Sequence, residues 1–145
     1  MVMLCNKKTN ACCILVWKSK KIRRKVIITL AGKALAMIGV IGEIVYPKAV
    51  LGQIFGTRVK DIPTLILSDS KNLTQAIKST SLVEDPWLIP DIAVIKDAIE
   101  DKTVNEVRWV NSKDMLADCL TKAGASGSSL MQLMESGKYE GPGGW

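Results

Sequence analysis

Apolar and polar positions alternate in blocks along this chain, and the blocks predict its elements. Met1 to Cys5 and Ala11 to Trp17 are short apolar stretches separated by the polar run Asn6-Lys7-Lys8-Thr9-Asn10, a pattern that predicts a β-hairpin. From Leu30 to Val45 the chain is apolar apart from Gly32, Lys33, Gly39, Gly42 and Glu43, with Thr29 placed to cap a helix and Lys48 to Phe55 continuing the pattern. Pro47 is expected to kink or interrupt it. Residues 56–61 read as a loop. Leu65-Ile66-Leu67 behind Pro63 reads as a strand buried on both faces. A short helix is expected from Lys71 to Lys78, and 79–89 reads as a loop. A second helix, with Pro90 in its first turn, carries a stripe of Ile92, Ile95 and Ile99. Val104 to Val110 alternates as a strand does. Ser112 is placed to cap a last main helix with Met115, Leu116, Cys119 and Leu120 on its apolar side. Residues 123–129 are small and polar, Leu130 to Met134 offers one helical turn, and the glycine-rich end reads as coil.

The order β-β-α-β-α-α-β-α is that of an α/β domain, and 145 residues suit about one. Aromatic residues make up 5%, so the core must be aliphatic. A domain of residues 1–122 with a flexible tail, 123–145, accounts for the pattern. The first predicted strand starts at Met1 with no lead-in, which suggests a missing upstream element.

Charge adds a candidate partner. The net charge is +6, and Lys18, Lys20, Lys21, Arg23, Arg24 and Lys25 lie within eight residues. Such a run can neutralise phosphates without reading sequence, can act as a nuclear-localisation patch, or can be a solvated loop. Followed by the apolar stretch from Val26 to Tyr46, it also suits a membrane anchor. Against a span, Lys33 and Glu43 each cost about 2.5–3.5 kcal/mol near a bilayer centre, and ten residues of helix put them on different faces.

Cysteine chemistry narrows the setting. No secretory signal pattern precedes Cys5, Cys12, Cys13 and Cys119, so reduced thiols in a cytoplasmic or nuclear compartment are expected. The chain has no histidine, and adjacent Cys12 and Cys13 point to opposite faces of a strand, which argues against zinc.

Candidate chemistry centres on Ser68-Asp69-Ser70. A carboxylate at the C-terminal end of an inner strand sits where α/β sheets build their sites. Asp69 or Ser70 can equally serve as the cap of the next helix.

Three segments together resemble the ribonuclease H domain of copia-type retrotransposon Pol polyproteins. Trp17-Lys18-Ser19-Lys20-Lys21 is similar to the W-K-S-K-K-Q element ending the family's third strand. Leu67-Ser68-Asp69-Ser70-Lys71 resembles the D-[NS]-x element of its fourth strand. Leu116-Ala117-Asp118-Cys119-Leu120-Thr121-Lys122 resembles its L-A-D-x-[LF]-T-K signature. The segments occur in the family's order at about its spacing and cover nearly the whole chain up to residue 122.

The resemblance implies a mixed sheet with flanking helices and hydrolysis of the RNA strand of an RNA–DNA hybrid. In the family four carboxylates (D, E, D, D) hold two Mg2+ ions, because clamping the attacking and leaving oxygens requires several converging anionic oxygens. Asp69 matches the third carboxylate and Asp118 the fourth, which makes both the remnant catalytic and metal-binding positions. The first belongs to a strand upstream of the one that starts this chain. The second falls at Lys33, within Ile28-Thr29-Leu30-Ala31-Gly32-Lys33-Ala34, where an acid has become a cation. At an effective dielectric near 20, a unit charge ~4 Å from a divalent ion is worth roughly 8 kcal/mol, and reversing its sign turns attraction into repulsion. Glu43, about 15 Å further along the helix, cannot substitute.

The resemblance thus implies a ribonuclease H-like sheet without its first strand, catalytically inactive, with Mg2+ binding in doubt. Its partners would be RNA–DNA hybrid or other nucleic acid and an upstream reverse transcriptase segment. In the family's sheet the first strand lies between the second and fourth, so losing it exposes two strand edges to aggregation. A non-catalytic nucleic-acid-binding module, a small basic membrane-anchored protein and a decayed fragment without function are the alternatives.

Overall fold

The computed structural model describes residues 1–19, 29–79, 85–122, 124–139 and 141. They form a mixed α/β structure with two small sheets and divide into two compact units.

The first unit comprises Met1–Lys20 and Val110–Trp145. Strands β1 (Val2–Cys5) and β2 (Cys12–Val16) pair antiparallel, as the alternating pattern predicts. Their turn is tied by the Asn6 side chain, which accepts from the backbone N–H of Lys8 (2.9 Å), and by Asn10 in the left-handed region (φ 56°), where Asn is better tolerated than most residues. Cys5 faces Cys12 in the ladder, and the two are joined by a disulfide. This differs from the reduced thiols expected from sequence. Directly opposed residues of an antiparallel pair bring their Cβ atoms within bridging range, which compartment reasoning does not consider. Cys13 and Cys119 are free.

The last main helix expected after Ser112 is not an α-helix. Two 3-10 turns, Ser112–Asp114 and Leu116–Leu120, stand in its place, and Asn111 rather than Ser112 caps the first, accepting from Lys113 N–H (3.1 Å). Met115 breaks the run in an extended conformation. The intended apolar face, Met115, Leu116, Cys119 and Leu120, is only half-buried, so little packing is available to hold a regular helix. Beyond it, one turn was expected at Leu130 to Met134, whereas α4 runs nine residues, Ser128–Ser136, and ends at Gly137 in the left-handed conformation (φ 63°) that glycine provides. The following residues pair with the hairpin. Cys12 N–H donates to Gly137 O (2.7 Å) and Tyr139 N–H to Asn10 O (2.9 Å).

The second unit is Lys21–Trp109. Helix α1 (Thr29–Phe55) is one 27-residue element that runs through Pro47. Pro47 costs the helix one backbone hydrogen bond, yet the buried stripe Ala34, Met37, Ile41, Ile44, Lys48, Gly52 recurs every three or four residues on both sides of it. Packing along that stripe outweighs the local proline cost. Gly52 is a close-approach position, since a Cβ there would lie 2.9 Å from the carbonyl oxygen of Thr57.

Strand β3 (Leu65–Ser68) pairs in parallel with β4 (Glu106–Trp109), and Ile66 and Val107 are buried opposite each other. Between them lie α2 (Lys71–Lys78) and α3 (Ile89–Glu100), which pack on each other and on α1. Leu73 and Ile77 of α2 and Ile92 and Ile95 of α3 fill the core. Ala98, not Ile99, completes the buried side of α3. Within the expected loop before β3, Val59–Asp61 forms a 3-10 turn, beside which the Arg58 guanidinium grips the Asp61 carboxylate at 2.7 and 3.2 Å.

Candidate functional site

The end of β3 is an elbow whose backbone is held on several sides. Ser70 caps α2, its Oγ accepting from Leu73 N–H (3.4 Å). Its carbonyl accepts from the Thr74 backbone N–H (3.1 Å) and hydroxyl (3.2 Å). Ser68 Oγ accepts from Ser70 N–H (3.2 Å). Of the two capping candidates, Ser70 therefore takes the role, and the Asp69 side chain is not used as the cap. The Trp109 indole N–H at the end of β4 donates to the Asp69 carbonyl (3.1 Å). Two strand ends and a helix start thus fix where the Asp69 carboxylate emerges. Trp109 is a positioning residue that the sequence pattern did not single out, since its alternation marks a strand face and not a hydrogen bond across to another strand's end.

Lys33 Nζ reaches this carboxylate. It lies 3.6 Å from Asp69 Oδ1, with the Lys33 side chain 41% and the Asp69 side chain 21% exposed. The pair is formed across 36 positions of sequence by the second turn of α1 and the end of β3. Buried Ala34 and Met37 anchor that part of α1.

Asp118 lies in the other unit, in the 3-10 turn Leu116–Leu120. Lys122 Nζ contacts its Oδ2 at 2.6 Å. Its backbone carbonyl accepts from Thr121 N–H (3.1 Å) and Lys122 N–H (2.8 Å). Each of the two carboxylates singled out by sequence thus carries a lysine ammonium. Among the described residues no group of three or more His, Cys, Asp or Glu side chains is arranged to hold a metal ion.

Of the basic run, Lys18 is exposed at the end of the hairpin, while Lys20, Lys21, Arg23, Arg24 and Lys25 lie outside the described residues.

A second cluster of cations sits elsewhere in the Lys21–Trp109 unit. A cleft of about 330 Å³ is lined by Lys48, Arg58, Lys60 and Lys102 among others. Lys48 is buried, and its ammonium donates to the carbonyls of Thr103 (2.9 Å) and Lys102 (3.4 Å) just past α3. Burial pulls the Lys48 pKa below its ordinary value, while neighbouring Asp101 opposes the shift. Asp101 in turn accepts from Thr103 N–H (2.7 Å), and that bond holds its carboxyl below the usual carboxylate range. Lys48 and Arg58 are therefore engaged in building the chain reversal around the cleft. A lone lysine four residues after Ile44, in an otherwise apolar stripe, was the available sequence signal for this role.

No family model matches the chain, and no curated protein or solved structure does.

Proposed function

We propose that this chain is a ribonuclease H-like α/β protein that binds RNA–DNA hybrid or related nucleic acid and does not cut it. The observation that carries the reading is the 3.6 Å pair of Lys33 and Asp69. The resemblance assigns these positions, from residues alone, to two ligands of one metal site. Their side chains meet, as such an assignment requires. The parallel pairing of β3 with β4, with α2 and α3 between them in sequence, supports the α/β class on which the reading builds.

Mg2+ does not fit this donor set. An ammonium has no lone pair to offer, and its charge opposes a divalent ion at the carboxylate it neutralises. Among the described residues Asp69 therefore lacks the converging anionic partners that a metal-assisted hydrolysis needs. Binding would rest on phosphate contacts from Lys18, Lys20, Lys21, Arg23, Arg24 and Lys25.

The test is hybrid binding followed by fluorescence anisotropy across a salt series. The unaltered chain should bind with an affinity that falls steeply with salt, and alanine at the six basic positions should abolish it. Equal binding by both chains would remove the basic run from the function.

Helix α1 favours a second reading. It is long and apolar enough to cross a membrane, and only 28% of its most apolar window is buried. The buried stripe packed on α3, with Lys48 hydrogen-bonded inside it, supports a core helix instead. Extraction separates the two. Release from membranes by salt alone fits the nucleic-acid reading, and a requirement for detergent fits the anchor.

A further inference from the structure

We propose that the cleft beside the C-terminal half of α1 is a binding site for a small organic phosphate, a phosphomonoester carried on an apolar body. The inference goes beyond the nucleic-acid reading and does not depend on it. The cleft lies wholly within the Lys21–Trp109 unit and holds about 330 Å³, which suits a small molecule. Lys48, Arg58, Lys60 and Lys102 line it, against one lining carboxylate, Asp101. Like charges gathered in one concave site repel one another, and a bound anion relieves that repulsion.

The positive excess survives once the partners are named. Arg58 is neutralised by Asp61, gripped at 2.7 and 3.2 Å, and Asp61 also feels the charges of Lys60 and Lys102. The buried Lys48 ammonium donates to the carbonyls of Thr103 and Lys102, which are neutral groups and leave its charge in place. The Lys60 and Lys102 ammoniums are exposed and form no hydrogen bond or ion pair with the described residues. Four cations set against Asp61 and Asp101 leave two positive charges uncompensated. A phosphomonoester, with a charge of about −1.5 to −2 near pH 7 and three acceptor oxygens, matches them.

The walls supply the rest. Val45 and Val59 line the same cleft and are exposed, which offers an apolar surface beside the cations. The chain turns back after α1 at Gly56 (φ 62°), and Thr57 N–H donates to Gly52 O (2.9 Å), which sets Val59 beside Gly52. Opposite, Lys102 is held in the left-handed conformation (φ 64°), which a lysine keeps only where its surroundings over-determine it. The charges are thus in place before a ligand arrives, which lowers the cost of binding.

The experiment is calorimetric titration of the full chain, at neutral pH and fixed ionic strength, with phenyl phosphate, inorganic phosphate and phenol. Phenyl phosphate should bind at one saturable site, more tightly than inorganic phosphate, and phenol should not bind. Lys60→Gln should weaken phenyl phosphate about tenfold, the loss of one charge-assisted hydrogen bond. Lys102→Gly removes another cation and places at φ 64° the residue that adopts it most freely, so it should fold at least as stably and still lose about tenfold. Lys71→Gln, on α2 and outside the lining, should leave the affinity unchanged. Any of four results would overturn the inference: no saturable binding of phenyl phosphate, inorganic phosphate bound as tightly, unchanged affinity in either cleft variant, or an equal loss in Lys71→Gln.

Discussion

Lys33 Nζ lies 3.6 Å from Asp69 Oδ1, across 36 residues of chain, at the point where β3 hands over to α2. The contact joins the one cation in the first half of α1 to the one carboxylate of the β3 elbow. A lysine and an aspartate this exposed gain little stability from each other, about 0–1 kcal/mol. Their arrangement matters for charge at the elbow more than for holding the fold.

Replacing Lys33 by Glu should invert that charge logic. Two carboxylates would then face each other, and Mn2+ should raise the melting temperature of Lys33→Glu while leaving that of the unaltered chain unchanged. Thermal denaturation with and without Mn2+ measures this. An equal response in both chains would show that Lys33 does not control metal affinity.

Ser70 and Asp69 should separate cleanly in stability. Ser70→Ala removes the cap of α2 and should cost about 1 kcal/mol. Asp69→Asn neutralises the carboxylate of the Lys33 pair and should cost less, since the Trp109 indole bonds the Asp69 backbone carbonyl, which asparagine keeps. Urea midpoints of the two variants give the comparison. A larger cost for Asp69→Asn would contradict the capping assignment.

Lys48 should show its burial in the pH dependence of stability. Its folded pKa is lowered from 10.5 by desolvation, so the folded chain sheds this proton first. Below 10.5 there is a window in which the unfolded chain holds more protons. Stability contributed by Lys48 therefore rises with pH through that window and levels off above 10.5. Lys48→Met should lose this rise. It should also cost about 1–3 kcal/mol at neutral pH, because the carbonyls of Lys102 and Thr103 lose their donor. Denaturant unfolding of both chains across alkaline pH tests both effects.

Pro47→Ala should stabilise α1. The proline lies inside a continuous helix, and alanine restores a backbone donor at a gain of about 1–3 kcal/mol. A loss of stability would mean that the proline ring itself is needed for packing.

Thiol labelling in denaturant checks the hairpin. Without reductant Cys13 and Cys119 should react, and with reductant all four cysteines should, because Cys5 and Cys12 are disulfide-bonded. The loop they close is short, and its closure should add about 2–3 kcal/mol to the hairpin. Four reactive thiols without reductant would contradict the pairing.

Much of the fold was legible because the segments obey one period each. The helix Lys71–Lys78 has the bounds its pattern predicts, and the hairpin follows from a polar run between two apolar ones. Legibility failed where local pattern and tertiary packing disagree. Pro47 reads as a break, but a stripe buried on both sides of it keeps α1 whole. Met115, Leu116, Cys119 and Leu120 carry helical spacing without a surface that buries them, and 3-10 turns result. Bond formation between Cys5 and Cys12 depends on ladder register, which composition does not contain. At the candidate site, Asp69 stood out as a carboxylate at a strand end. Its meeting with Lys33 was reachable only through the resemblance, because no periodicity relates residues on a helix and a strand 36 positions apart. Trp109 was not reachable at all, since its role depends on the parallel pairing of β3 with β4.

The most direct test of the account incubates the full, unaltered chain with a labelled RNA–DNA hybrid in Mg2+ and follows both binding and RNA length in the same sample. The expected result is a bound hybrid whose RNA strand stays intact. A shortened RNA strand would contradict it, because the chain would then cut with a lysine beside Asp69.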